Sequence, residues 1–121
     1  MKYESVKVVE SGAAEGVRLS VARMSFGRRV ELMRAVRELA RKVEFLEAGQ
    51  AAGEKMDAAL LQAEIDRLFV KWGLVAVSGL EVDGVEATPE LLAEKGPEEL
   101  FREALAAVRA EIGLSEEERK N

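Results

Sequence analysis

Leu32, Val36, Leu39, Val43 and Leu46 recur at alternating four- and three-residue steps, a series that lines up on one face only if the backbone is an α-helix. Ser25 is placed to cap this helix, which should run to about Ala48 and close at Gly49. Phe26, Val30 and Met33 widen the apolar stripe near its start. Two heptads are too few for a coiled coil, so the stripe reads as a core-facing helix. After Gln50-Ala51-Ala52-Gly53, a second helix is expected from about Glu54 to Trp72, ended by Gly73. It gathers Met56, Leu60, Leu61, Ile65, Leu68, Phe69 and Trp72 on one broad face. So short a link points to an antiparallel helical pair.

Strands flank this pair. Residues 3–10 and 17–24 read as a hairpin, because Val17, Leu19 and Val21 alternate with Arg18, Ser20 and Ala22. Its turn is the glycine-bearing segment 11–16. A lone hairpin is marginal in water, so its apolar face must rest on the helices. Within residues 74–87, Asp83-Gly84 between Val82 and Val85 marks a two-residue hairpin. Thr88 then caps a short helix with Pro89 at its first position, which Gly96 stops. Pro97 opens another helix that carries Leu100, Phe101, Ala104, Leu105, Val108 and Ile112 to Gly113. The expected class is helix-rich α+β: an N-terminal β-hairpin, an antiparallel helical pair, a short β-hairpin and C-terminal helices. All 121 residues should form one domain, with the hairpin at 1–24, a helical body at 25–113 and a tail at 114–121. Leu39, Val43, Leu61, Ile65, Leu68 and Leu105 are the expected core.

Apolar residues make up 48% of the chain and charged ones 34%, the balance of a globular protein. There is no histidine and no cysteine, which removes the commonest general base, the nucleophilic thiol and the usual zinc ligands. The ten glycines match neither the dinucleotide-binding nor the P-loop spacing. Eighteen acidic residues beyond position 42 make chance carboxylate pairs inevitable, so a glycosidase-like pair would carry no weight. No catalytic, cofactor-binding or metal-ligating residue is nominated, and the chain reads as a non-enzyme. Its longest apolar runs fall far short of a membrane span, and Met1-Lys2-Tyr3-Glu4 does not open a hydrophobic signal segment. Cytoplasm is the expected compartment.

Charge is unevenly spread under a net of −5. Residues 18–42 carry a balance of +6 and residues 43–121 a balance of −10. Such polarity can steer a charged partner or drive salt-sensitive self-association, and it is equally the pattern of two solvated faces. Arg34, Arg37 and Arg41 share a helical face, with Arg28 and Arg29 in the first turn, a clustering that suits phosphate. Against a nucleic-acid reading, Glu38 can pair with Arg34, Arg41 or Lys42, and no aromatics interleave for base stacking. Trp72, the only tryptophan, is either an interface anchor or a core plug where helix and hairpin meet. The nominated partner-binding residues are Phe26, Arg28, Arg29, Arg34, Arg37, Arg41 and Trp72.

Six strings, taken in order, resemble those of tail assembly chaperones, small proteins encoded among the tail genes of long-tailed bacteriophages and prophages. They are Arg23-Met24-Ser25-Phe26-Gly27-Arg28-Arg29, Trp72-Gly73-Leu74, Gly79-Leu80-Glu81-Val82-Asp83-Gly84, Ala87-Thr88-Pro89-Glu90, Gly96-Pro97-Glu98-Glu99-Leu100 and Leu114-Ser115-Glu116-Glu117-Glu118-Arg119-Lys120-Asn121. They span most of the chain from residue 17 onward and are caps, turns and helix starts; none is catalytic. The resemblance implies a protein in the cytoplasm of a host bacterium that binds the tape-measure protein and helps tail-tube subunits gather around it. It also implies a second, longer product made by ribosomal frameshifting, with residues 114–121 as the junction; a polar tail accounts for the same residues. Ser115 and Glu118 would there form a capping box. The competing expectations are a phage nucleic-acid-binding accessory protein and a structural virion component. No membrane partner is expected, and the chain can pair with itself.

Overall fold

The computed structural model of the chain describes residues 1–49 and 52–113. Its elements run β1 (Val6–Glu10), β2 (Arg18–Ala22), α1 (Phe26–Glu47), α2 (Ala52–Gly73), β3 (Leu74–Ser78), β4 (Glu81–Val82), β5 (Val85–Glu86), α3 (Pro89–Lys95) and α4 (Glu98–Ile112). Among the described residues helix accounts for 59% and strand for 17%, a helix-rich α+β fold. The capping box at Ser115 and Glu118 and the junction at 114–121 lie outside the described residues.

The local signals act where they stand. The Ser25 hydroxyl accepts the Arg28 N–H at 3.2 Å, and the Thr88 hydroxyl accepts the Leu91 N–H at 3.1 Å. Asp83 and Gly84 take φ of 53° and 80°, the left-handed pair of a type I′ turn. Gly73 ends α2 against α4, where a Cβ would come within 2.6 Å of Val108 Cγ1. Its bare backbone is what lets α2 pass that close to α4 before β3 begins.

β1 and β2 pair antiparallel, as the alternation indicates, but β3 does not stay with its own hairpin. It pairs antiparallel with β2, so the sheet order is β1-β2-β3, and β4-β5 forms a separate two-stranded ribbon. Leu19 faces Val77 and Val21 faces Leu74 across this ladder. An extended segment with a free apolar edge completes its hydrogen bonds wherever a matching strand lies, here some 55 residues upstream. The central strand β2 is thereby fixed on both sides. Its Leu19 and Val21, with Val17 just before it, are at most 3% exposed, whereas β1 buries no residue fully.

The core joins Leu19, Val21, Leu74 and Val77 of the sheet to Phe69 and Val70 of α2, Leu92 of α3, and Leu100, Ala104, Leu105, Val108 and Ile112 of α4. Of the six residues expected there, Val43, Ile65 and Leu105 are buried, but Leu39, Leu61 and Leu68 are only half-buried. The reason is architectural. α1 packs against α2 along a seam, and side chains at the edges of a two-helix seam stay partly open. Met56 and Leu60, placed on the apolar face of α2 by their type, are 66% and 61% exposed. They lie two residues either side of buried Ala58, which turns them to the opposite side of the helix.

Candidate functional site

The nominated residues fall into two groups. Phe26, Arg28, Arg29 and Trp72 gather at the base of the helical pair, where α1 begins and α2 ends. The first turn of a helix is the wrong end for a cation, because the backbone N–H groups there already carry partial positive charge. Arg28 and Arg29 escape this by reaching across to the carbonyl ends of two other helices. Arg28 Nη2 donates to the Trp72 carbonyl and Arg29 Nη1 to the Ile112 carbonyl, each at 3.2 Å. The Arg28 guanidinium also lies over the Trp72 ring, 4.4 Å from its centroid. Its Nε is buried with no hydrogen-bond partner among the described residues. Trp72 is half-buried and packed on the core, while Phe26 is 86% exposed.

Arg34, Arg37 and Arg41 form the second group. They stand exposed along α1 and rim an open groove of about 610 Å³ whose floor is Val30, Met33, Val36 and Ala40, with Glu44 at its far end. Beside it, Val36, Ala40 and Val43 face Gln62, Ile65 and Phe69 of α2. Arg109 of α4 closes that side. Its Nη2 donates to Asp66 Oδ1 at 2.5 Å, and Gln62 Nε2 donates to the same oxygen at 3.3 Å. The groove, lined by α1 alone, is therefore apolar along its floor and basic along its outer rim, and the cleft beside it between α1 and α2 ends at Arg109. Glu38 forms no ion pair with Arg34, Arg41 or Lys42 among the described residues.

Phe26, Val30 and Met33, expected to widen the core-facing stripe, do not face the core: Phe26 is 86% and Met33 62% exposed and Val30 is half-buried. The signal that separates the floor from the core stripe is an offset series, Val30, Met33, Arg37, Ala40 and Glu44, at alternating three- and four-residue steps, which no described element covers. The Arg109–Asp66 pair could not be read, because it joins residues 43 positions apart.

Among the described residues, no group of three His, Cys, Asp or Glu side chains could hold a metal ion. No described helix is long and apolar enough to cross a membrane. Comparison of the chain with family models, with curated proteins and with solved structures gives no match.

Proposed function

We propose that the chain is a non-enzymatic, tail-assembly-chaperone-like protein that holds a helical segment of a phage tape-measure protein while tail-tube subunits gather around it. The observation that carries this reading is the groove on α1, with Val30, Met33, Val36 and Ala40 as its floor and Arg34, Arg37 and Arg41 as its rim. An amphipathic helix laid into such a groove buries its apolar stripe and pairs its acidic flank with the arginines. A long helical protein awaiting its sheath exposes such stripes repeatedly. The groove also favours protein over nucleic acid as the occupant, since its floor is aliphatic and offers no stacking surface.

The test is co-expression with the tape-measure protein of the same phage, followed by size-exclusion chromatography. A stable complex is expected. Met33→Glu combined with Arg37→Glu should weaken it by at least about tenfold, since both residues stand at the centre of the groove. Both are exposed, so the variant should keep its helical circular-dichroism spectrum. A folded wild-type chain that never co-elutes with the tape-measure protein refutes the reading. Duplex-DNA binding with a steep salt slope would support the accessory-protein alternative in its place.

A further inference from the structure

The other side of α1 carries a second surface. A shallow trough of about 370 Å³ runs between the helices there, lined by Glu38, Arg41, Lys42, Phe45 and Leu46 of α1 and Leu61 of α2. Phe45 is 75% exposed beside it. Arg34, Glu38, Arg41 and Phe45 follow one another at four-, three- and four-residue steps, so they share one stripe of α1. Asp57, Leu61 and Glu64 share a stripe of α2 in the same way. With Lys42, the α1 edge carries +2 and the α2 edge −2, and every one of these charged residues is exposed.

A basic edge and an acidic edge flanking one apolar trough form a self-complementary surface, which is what a two-fold interface requires. We propose that this face binds a second copy of the chain, two helical hairpins packing side by side into a four-helix bundle. The charges also select the symmetry axis. An axis across the helices would lay α1 on α1 and oppose like charges. An axis parallel to the helices lays α1 of each copy over α2 of the other. Because α1 and α2 are antiparallel, with Arg28 at the start of α1 touching Trp72 at the end of α2, equal heights then coincide. Arg41 and Lys42 meet the Asp57 region of the second copy, and Arg34 meets its Glu64. Phe45 and Leu61 supply the apolar centre. Glu64 also lies 3.3 Å from Arg67 of its own helix, but an exposed pair of this kind is weak and yields readily to a better partner. The surface shares Arg34 and Arg41 with the rim of the partner groove but none of its floor, so Met33→Glu/Arg37→Glu, which should still dimerise, separates the dimer from the tape-measure reading.

The experiment is sedimentation equilibrium on the full chain and two charge-reversed variants, Arg34→Glu/Arg41→Glu and Asp57→Lys/Glu64→Lys. The wild type is expected to dimerise, with a dissociation constant that rises about tenfold between ionic strengths of roughly 0.05 M and 0.5 M. Each variant alone should be monomeric, and an equimolar mixture of the two should dimerise again. Recovery on mixing cannot come from a misfolded chain. The axis is read by cross-linking, which the cysteine-free sequence makes clean. Arg41→Cys and Asp57→Cys variants, mixed and oxidised, should give a mixed disulfide dimer. Preferential cross-linking of Arg41→Cys to itself would overturn the arrangement. A wild type that stays monomeric at both ionic strengths leaves the face to a foreign helix and overturns the proposal, as does a dimer indifferent to both reversals.

Discussion

Leu19 and Leu39 are the same residue type with very different weight, and the difference shows where sequence patterns stop. Both sit in clean apolar periodicities. Leu19 lies on the central strand and is fully buried, while Leu39 lies at the edge of a two-helix seam and is half-buried. Leu19→Ala is expected to cost ~2–5 kcal/mol in chemical denaturation, and Leu39→Ala roughly half of that or less, because its cavity opens to solvent. Equal losses would mean that a further layer covers the α1 seam. Periodicity reports which face points inward; it does not report how deep the neighbours are. That limit is why Val43, Ile65 and Leu105 were read correctly while Leu61 and Leu68 were placed too deep. Charge at single residues obeys the same logic. Glu94 accepts a hydrogen bond from Lys71 at 2.7 Å, with Arg67 at 3.6 Å. The Lys71 contact, followed by the field of Arg67, holds its carboxyl below the ordinary value. A lowered pKa adds stability above the unfolded value that is lost as pH falls through the folded one. Glu94→Gln should therefore lower the melting temperature slightly at pH 7, and the difference from wild type should vanish in acid. A gap that widens in acid would contradict this assignment.

At the scale of elements, what could be read is what is local. Ser25 and Thr88 cap the helices they were expected to cap, and Asp83-Gly84 turns the hairpin between Val82 and Val85. What could not be read is the pairing across long separations. β3 leaves its own hairpin for β2, and the β1–β2 turn is held by α4 through Glu103. Ser11 Oγ donates to Glu103 Oε1 at 2.5 Å, and the Gly12 N–H donates to Glu103 Oε2 at 2.7 Å. Ser11 Oγ in turn accepts the N–H groups of Ala13 and Ala14, at 3.0 and 2.9 Å. One carboxylate thus orders an entire turn from 91 residues away. Glu103→Ala should release this turn while sparing the helices. The Gly12, Ala13 and Ala14 amides are expected to exchange about tenfold faster, the equivalent of one charge-assisted hydrogen bond. Unchanged protection there would show that the turn is set by its own chemistry alone.

At the scale of the whole molecule, the core and the exposed surfaces are divided between different helices, and that division links stability to function. α4 buries five residues, Leu100, Ala104, Leu105, Val108 and Ile112, within 15 residues of helix. α1 is 22 residues long, yet among its described side chains only Leu32 and Val43 are fully buried. Most of its surface lies in the arginine-rimmed groove or along the trough beside Phe45. A helix so lightly anchored should open before the sheet and α4, because local opening free energy follows the apolar contact that opening must break. We predict that native-state hydrogen exchange will place the α1 amides at a distinctly lower opening free energy than those of β2 and α4. Binding should reverse that order. A partner helix seated on Met33 and Arg37 covers α1 alone, and a second copy packed on Arg41 and Phe45 covers α1 and the start of α2. Protection should therefore rise selectively in α1, with β2 and α4 unchanged, because a ligand stabilises only the states that bind it. Uniform exchange across α1, β2 and α4 in the free chain would show that α1 is as firmly part of the core as the rest. The groove would then be a fixed surface, and docking would have little folding to add.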